Sequence, residues 1–134
     1  MNNIAQNLTL RQRVSTIEFL PNSIVVIKID DNVELTLEDF LAHYKALRGR
    51  YDGSTKYRLM VEPGLFSSIT NEARSFSANT GNNKITMATA VIIKSLAQRL
   101  VINFMINSIQ KHSMKIQMFD SKEKAIEWLL EIKN

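Results

Sequence analysis

The sequence contains no cysteine. This removes disulfides, thiolate zinc sites and thiol nucleophiles together, and it suits a reducing, cytoplasmic compartment. Glycine and proline are scarce as well, four and two in 134 residues, which leaves no room for a low-complexity linker. A single domain over 1–134 is expected, with any weak order confined to the ends and to residues 1–10 in particular. The stretch from Met1 to Val14 carries polar Asn and Gln and no apolar block, so it does not read as a secretory signal. No run approaches the ~20 apolar residues of a membrane span.

Other absences narrow the chemistry. Gly64 and Gly81 stand alone, so no glycine-rich phosphate loop exists. His43, read on the polar side of its helix, and His112, in a basic loop, lack a spaced second ligand, and neither a metal site nor a cofactor is expected. Glu62 and Asp120 become a carboxylate pair only if their strand ends converge. With no nucleophile, base and orienting group in sight, the chain is expected not to be an enzyme. The formal charge of +4 is a weak bias, and a nucleic-acid partner is not expected from it.

The most informative feature present is the run from Ala88 to Ser95, followed at once by a helical pattern from Leu96 to Ile109. A short apolar, β-branched stretch without polar alternation predicts a strand covered on both faces, hence parallel neighbours and an α/β architecture. Upstream, Arg11 to Leu20 and Ser23 to Asp30 predict an antiparallel pair joined at Pro21-Asn22, with Val25, Ile27 and Ile29 on one face. Thr36 and Asp39 form a capping box, after which Leu37, Phe40, Leu41, Tyr44 and Leu47 mark a helix ending near Gly49. A strand over Tyr57 to Val61 stops at Pro63-Gly64, and a further helix starts near Thr70 with Ile69, Ala73 and Phe76 facing inward. A turn over 79–83 precedes the central strand. Lys115 to Phe119 predicts the last strand, and Asp120 or Ser121 caps the last helix. The alternation predicts a mostly parallel sheet of about five strands, an antiparallel N-terminal edge strand and about four helices.

Two helices differ in pattern. The last one segregates Ala125, Ile126, Trp128, Leu129, Leu130 and Ile132 from Glu123, Glu127 and Glu131, as a helix packed on a sheet does. The helix from Leu96 places Ala97, Leu100, Val101 and Phe104 on one face and Ile102, Met105, Ile106 and Ile109 on a second, roughly opposite stripe. One sheet cannot bury both. The second stripe is covered by the last helix, or it is a subunit interface, an apolar ligand pocket or a membrane-facing surface.

Polar groups divide between the two sheet edges. Arg48, Arg50, Lys56, Arg58, Lys84, Lys111, His112 and Lys115 fall at the helix-to-strand edge, a candidate basic rim for an acidic partner, nucleic acid or anionic lipid head groups, or simply a solvated surface. The opposite, carboxyl edge is where open α/β sheets bind ligands, and it offers Ser67, Ser68, Thr70, Asn71, Arg74 and Ser95. Ser67, Ser68 and Thr70, beside a helix N-terminus, form a candidate anion or phosphorylation site, although helix capping by Thr70 accounts for the same composition.

The order of elements, with Ser68-Ile-Thr-Asn-Glu-Ala-Arg74, Ala90-Val-Ile-Ile-Lys-Ser95, Ile102-Asn-Phe104 and Phe119-Asp-Ser-Lys-Glu-Lys-Ala125-Ile-Glu-Trp128-Leu129, resembles small bacterial STAS-like (SpoIIAA-like) domains of unknown function. The resemblance covers the chain from about Ser23 onward. It implies the STAS-like fold and a regulatory, partner-binding role, switched in STAS domains proper by phosphorylation in the loop before the second helix. The matching positions are Ser67, Ser68 and Thr70, with Phe66 and Ile69 standing where the usual Asp-Ser-Ser/Thr-Gly pattern has Asp and Gly. The same broad fold is similar to CRAL-TRIO lipid-binding domains. The expected function is therefore a non-enzymatic, protein-binding homodimer, the alternative being a binder of a small apolar or lipid-like ligand or a peripheral membrane protein.

Overall fold

The structure, a computed structural model, describes residues 8–79, 84–110 and 115–133, without the side chains of 77–79 and 105–110. Most of the expected weak N-terminal segment, the turn around Gly81, and Lys111 and His112 lie outside the described residues. In chain order the elements are β1 (Leu8–Arg11), β2 (Ser15–Phe19), β3 (Ile24–Ile29), β4 (Glu34–Leu35), α1 (Leu37–Gly49), β5 (Tyr57–Glu62), β6 (Ser68–Ile69), α2 (Asn71–Asn79), β7 (Thr86–Ile92), α3 (Leu96–Gln110), β8 (Ile116–Phe119) and α4 (Lys122–Glu131).

Six strands form the main sheet in the order β1-β2-β3-β5-β7-β8. The first two pairings are antiparallel and the other three parallel, and β7 lies inside the sheet as its apolar sequence requires. The chain adds a main-sheet strand beyond the expected five at Leu8–Arg11, almost wholly upstream of the expected Arg11 to Leu20 run. It turns at Gln12 to Val14, with the Gln12 N–H donating to the Ser15 carbonyl at 2.8 Å, and Leu8–Arg11 folds back as an outer strand on β2. Arg13 is withdrawn from the ladder to bind Asp39 with both arms of its guanidinium, at 2.9 and 2.6 Å. The β2–β3 turn falls at Pro21-Asn22-Ser23 as predicted, with left-handed backbone at Asn22 and Ser23.

Each new parallel strand is added on the same side of its predecessor. Right-handed crossovers then carry α1, α2 and α3 over one face, and α4 is left to cover the other. Two cores result. On the α1 side Val25, Ile27 and Leu59 pack with Leu47 and Tyr57. On the α4 side Ile24, Val26, Met60, Ala88, Ala90 and Ile92 pack with Ala125 and Leu129. Capping follows the sequence: Thr36 and Asp39 make the full capping box of α1, the Thr70 hydroxyl accepts from the Ala73 N–H of α2, and Ser121 caps α4. In α4 Ala125 and Leu129 are fully buried and Trp128 is half-buried against Phe119, at 5.5 Å between ring centres. Leu130, expected on the packed side, is 46% exposed, since the contact ends at the sheet margin.

Candidate functional site

The two loops that leave β3 and β5 at the carboxyl edge are knitted together. Residues 34–35 and 68–69 pair in parallel as a small separate sheet, and the Asn32 N–H donates to the Leu65 carbonyl at 2.9 Å. The Leu65 N–H in turn donates to the Asp31 carboxylate at 2.8 Å. Gly64 is required at the seam, because a Cβ there would lie 2.0 Å from the Asp30 carbonyl oxygen. Gln98 of α3 completes the tie, its side-chain amide donating to the carbonyls of Pro63 and Gly64 at 3.3 and 3.2 Å.

Behind this edge the sheet and its helices leave a cavity of about 620 Å³. Its floor is apolar: Ile27 and Ile29 of β3, Leu59 and Val61 of β5, and Val91 of β7 beside Thr89. Phe40 and His43 of α1, Arg74 and Phe76 of α2, and Val101 and Ile102 of α3 form the walls. The mouth carries Leu65 and Phe66, and Phe66 is 85% exposed with left-handed backbone, an unusual conformation for a bulky residue. Among the described lining residues Arg74 is the one arginine or lysine, no carboxylate accompanies it, and its Nε is buried without a hydrogen-bond partner.

Of the α3 stripe expected to face the sheet, Ala97 and Val101 border the cavity and the other two residues face water instead. Leu100 and Phe104 are 64% and 68% exposed, as is Leu96 at 71%, whereas Ile102 of the second stripe is half-buried on the cavity wall. The reason is that α3 packs against β8 and α2 at the margin of the sheet, and so turns a different side inward. The side chains of Met105, Ile106 and Ile109 lie outside the described residues.

His43 is corrected too. It is buried rather than on a polar face, and its Nε2 shares a 2.7 Å hydrogen bond with the hydroxyl of Ser15, itself fully buried on β2. Burial holds the imidazole below its ordinary pKa, against the opposing pull of Asp39 one turn earlier. Asp39 is held at about 2, chiefly by the Arg13 guanidinium and further by the Thr36 backbone and hydroxyl. The resemblance of Ser15, His43 and Asp39 to a hydrolytic triad stops there, because Ser15 is sealed in the core and the Asp39 oxygens bind Arg13 and Thr36.

Of the carboxyl-edge residues picked from sequence, Ser67, Ser68, Arg74 and Ser95 all line the cavity. They do not make one anion site: the Thr70 hydroxyl is engaged in capping, the Ser67 hydroxyl donates to the Gly64 carbonyl at 2.7 Å, and Ser68 is exposed. Glu62 and Asp120 do not pair. Glu62 is buried against Lys122 at 3.3 Å, and exposed Asp120 faces Lys124 at 3.8 Å. The basic rim is also dispersed. Arg58 clamps the end of α4, donating to the carbonyls of Leu129, Ile132 and Asn22 at 2.8, 3.1 and 2.8 Å, and Arg50 stacks over Phe19. Lys56 makes contacts of its own, Arg48 and Lys115 are exposed, and Lys111 lies outside the described residues.

Comparison with known proteins agrees with this architecture. A model of a domain of unknown function, DUF7793, matches residues 18–133. The chain belongs to the DUF7793 family. Among solved structures, this DUF7793 domain is similar to an uncharacterised protein of the DUF3478 family from Shewanella loihica PV-4. The TM-score is 0.54 at 16% identity, over 96% of this chain and 98% of the other. That protein has a SpoIIAA-like fold, and the DUF7793 domain shares it. No curated protein matches the chain. Among the described residues of the DUF7793 domain, no helix is long and apolar enough to cross a membrane.

Proposed function

We propose that the protein is a non-enzymatic binding domain, working in the cytoplasm, that holds one small apolar or lipid-like molecule between its sheet and α1, α2 and α3. The cavity of about 620 Å³ carries this reading. Close-packed interiors do not keep voids of that size, whereas small-molecule sites occupy roughly 300–1,000 Å³ and are mostly apolar. Its position at the carboxyl ends of β3, β5 and β7 is where open α/β sheets receive ligands. The exposed Phe66 at the mouth and the exposed Leu96, Leu100 and Phe104 of α3 suit transient contact with a membrane surface from which such a molecule is taken.

The test is to fill the floor. Val91→Phe projects a ring into existing space, so it should leave the melting temperature within a few degrees of the parent while abolishing saturable binding of an uncharged apolar fluorophore such as N-phenylnaphthylamine. Equal binding by both proteins would overturn the assignment.

One observation favours a second reading, a regulatory partner-binding domain that pairs with another copy of itself. The stripe of Leu96, Leu100 and Phe104 is apolar and exposed on a single helix face. Sedimentation decides it: a dimer converted to monomer by Leu100→Lys supports this reading, and a monomeric parent removes it.

A further inference from the structure

The cavity is apolar but it is not neutral. Arg74 sits in its wall one turn into α2, a helix fixed by the Thr70 cap and by fully buried Ala73. The residue as a whole is half-buried, and its guanidinium is a planar fork of N–H donors with no acceptor of its own. Its Nε is nevertheless buried and has no hydrogen-bond partner among the described residues. A buried donor of this kind is costly unless an acceptor meets it, and the other described residues lining the cavity supply no carboxylate. The acceptor therefore has to come with the occupant.

Resting on the cavity reading above, the geometry points to a monoanionic amphiphile as the ligand, an aliphatic or aryl-aliphatic monocarboxylate whose head group is bound by Arg74. The apolar floor from Ile27 to Val91 takes the chain. The Nε–H and the neighbouring Nη–H of a guanidinium form a fork whose spacing matches the two oxygens of a carboxylate. Charge limits the head group as well. His43, the other titratable group facing the cavity, is held toward its neutral form by burial, which leaves a single positive charge. That charge balances a carboxylate but leaves a phosphate monoester, at about −1.5 to −2, under-compensated in an apolar site.

Three ligands of equal chain length separate the possibilities: dodecanoate, dodecanol and dodecyl phosphate, titrated below their micellar concentrations against the intact protein and against Arg74→Met. The parent should bind dodecanoate at least about tenfold more tightly than either of the others, the scale of one charge-assisted hydrogen-bond pair. Arg74→Met, which keeps the length and packing of the side chain, should lose that preference and retain dodecanol. If the parent binds dodecanol as tightly as dodecanoate, the anchor is wrong and the apolar cavity stands. If dodecyl phosphate binds best, the head-group assignment is overturned. If none of the three binds, both this inference and the cavity reading fall. The ligand comparison on the parent needs no variant, so a poorly folding Arg74→Met does not blunt it.

Discussion

The two faces of one sheet have been finished differently. On the α4 face, β7 presents Ala88 and Ala90, small enough for the helix to come close, and Ala125 and Leu129 fill the contact completely. On the opposite face β7 presents Thr89 and Val91, and the helix that follows stands off over β8 and α2, leaving Leu100 and Phe104 in water and a void beneath. Both faces are built from the same strands and both carry an apolar centre. What separates them is whether a helix closes the gap, so binding capacity here comes from withheld packing rather than from a special set of reactive groups.

The sharpest way to break the comparison is at Gly64, where the open face is most tightly held. Gly64→Ala drives a methyl group into the Asp30 carbonyl and cannot be relieved by a side-chain shift, so it should cost more than about 4 kcal/mol in urea denaturation. A loss below about 1 kcal/mol would show that the seam yields and that the mouth is not rigid. Next in size is a matched pair of truncations. Leu129→Ala on the closed face should cost about 3 kcal/mol, as buried leucines do. Leu100→Ala on the open face should stay within about 0.5 kcal/mol. Equal costs would erase the distinction between the faces.

The smallest effect expected is in pH dependence. His43 has a lower pKa in the folded protein than its ordinary 6.5, so the unfolded chain binds its proton first. Stability should therefore be full above about pH 6.5 and decline as pH falls toward the lowered native value. Asp39, at about 2 instead of 3.8, adds a second decline of the same sign as pH falls from about 4 toward 2. His43→Gln should flatten the upper decline and leave the lower one. Denaturation midpoints from pH 8 to 2 measure both, and an unchanged upper limb in the variant would show that His43 is not its source.

Much of the fold was legible in the residues because local and global signals agreed. The Thr36-Asp39 box, the Pro21-Asn22 turn, the segregated faces of the last helix and the unbroken apolar run of β7 each state one answer. The failures share a different cause. Arg11 to Leu20 has strand character throughout, yet residues 12–14 leave the ladder, where Arg13 binds Asp39 26 residues away. The helix from Leu96 is apolar on two sides, so periodicity could not choose which faces inward. His43 does stand in phase with Phe40 and Leu47, a spacing that marks it as inward-facing, but its polarity masked that until Ser15 supplied a partner. The carboxyl-edge serines and Arg74 were visible as a group. The cavity was not, since empty space is the property of an assembled set of elements and no residue type encodes it.

The Arg58 clamp has a bearing on the order in which the molecule assembles. Its guanidinium joins β5 to the carbonyls of Leu129 and Ile132, across 71 and 74 positions of chain. Every strand and the three helices of the cavity side are complete in the sequence before the first residue of α4. During synthesis the closed face is therefore the last that can shut, and until it does the β7 alanines and their apolar neighbours are open to solvent. Contacts of such long sequence separation form slowly, and exposed apolar sheet is what aggregates while they form. Arg58 is the latch across that last closure, so its loss should be felt in the yield of folded protein from synthesis as well as in the final stability.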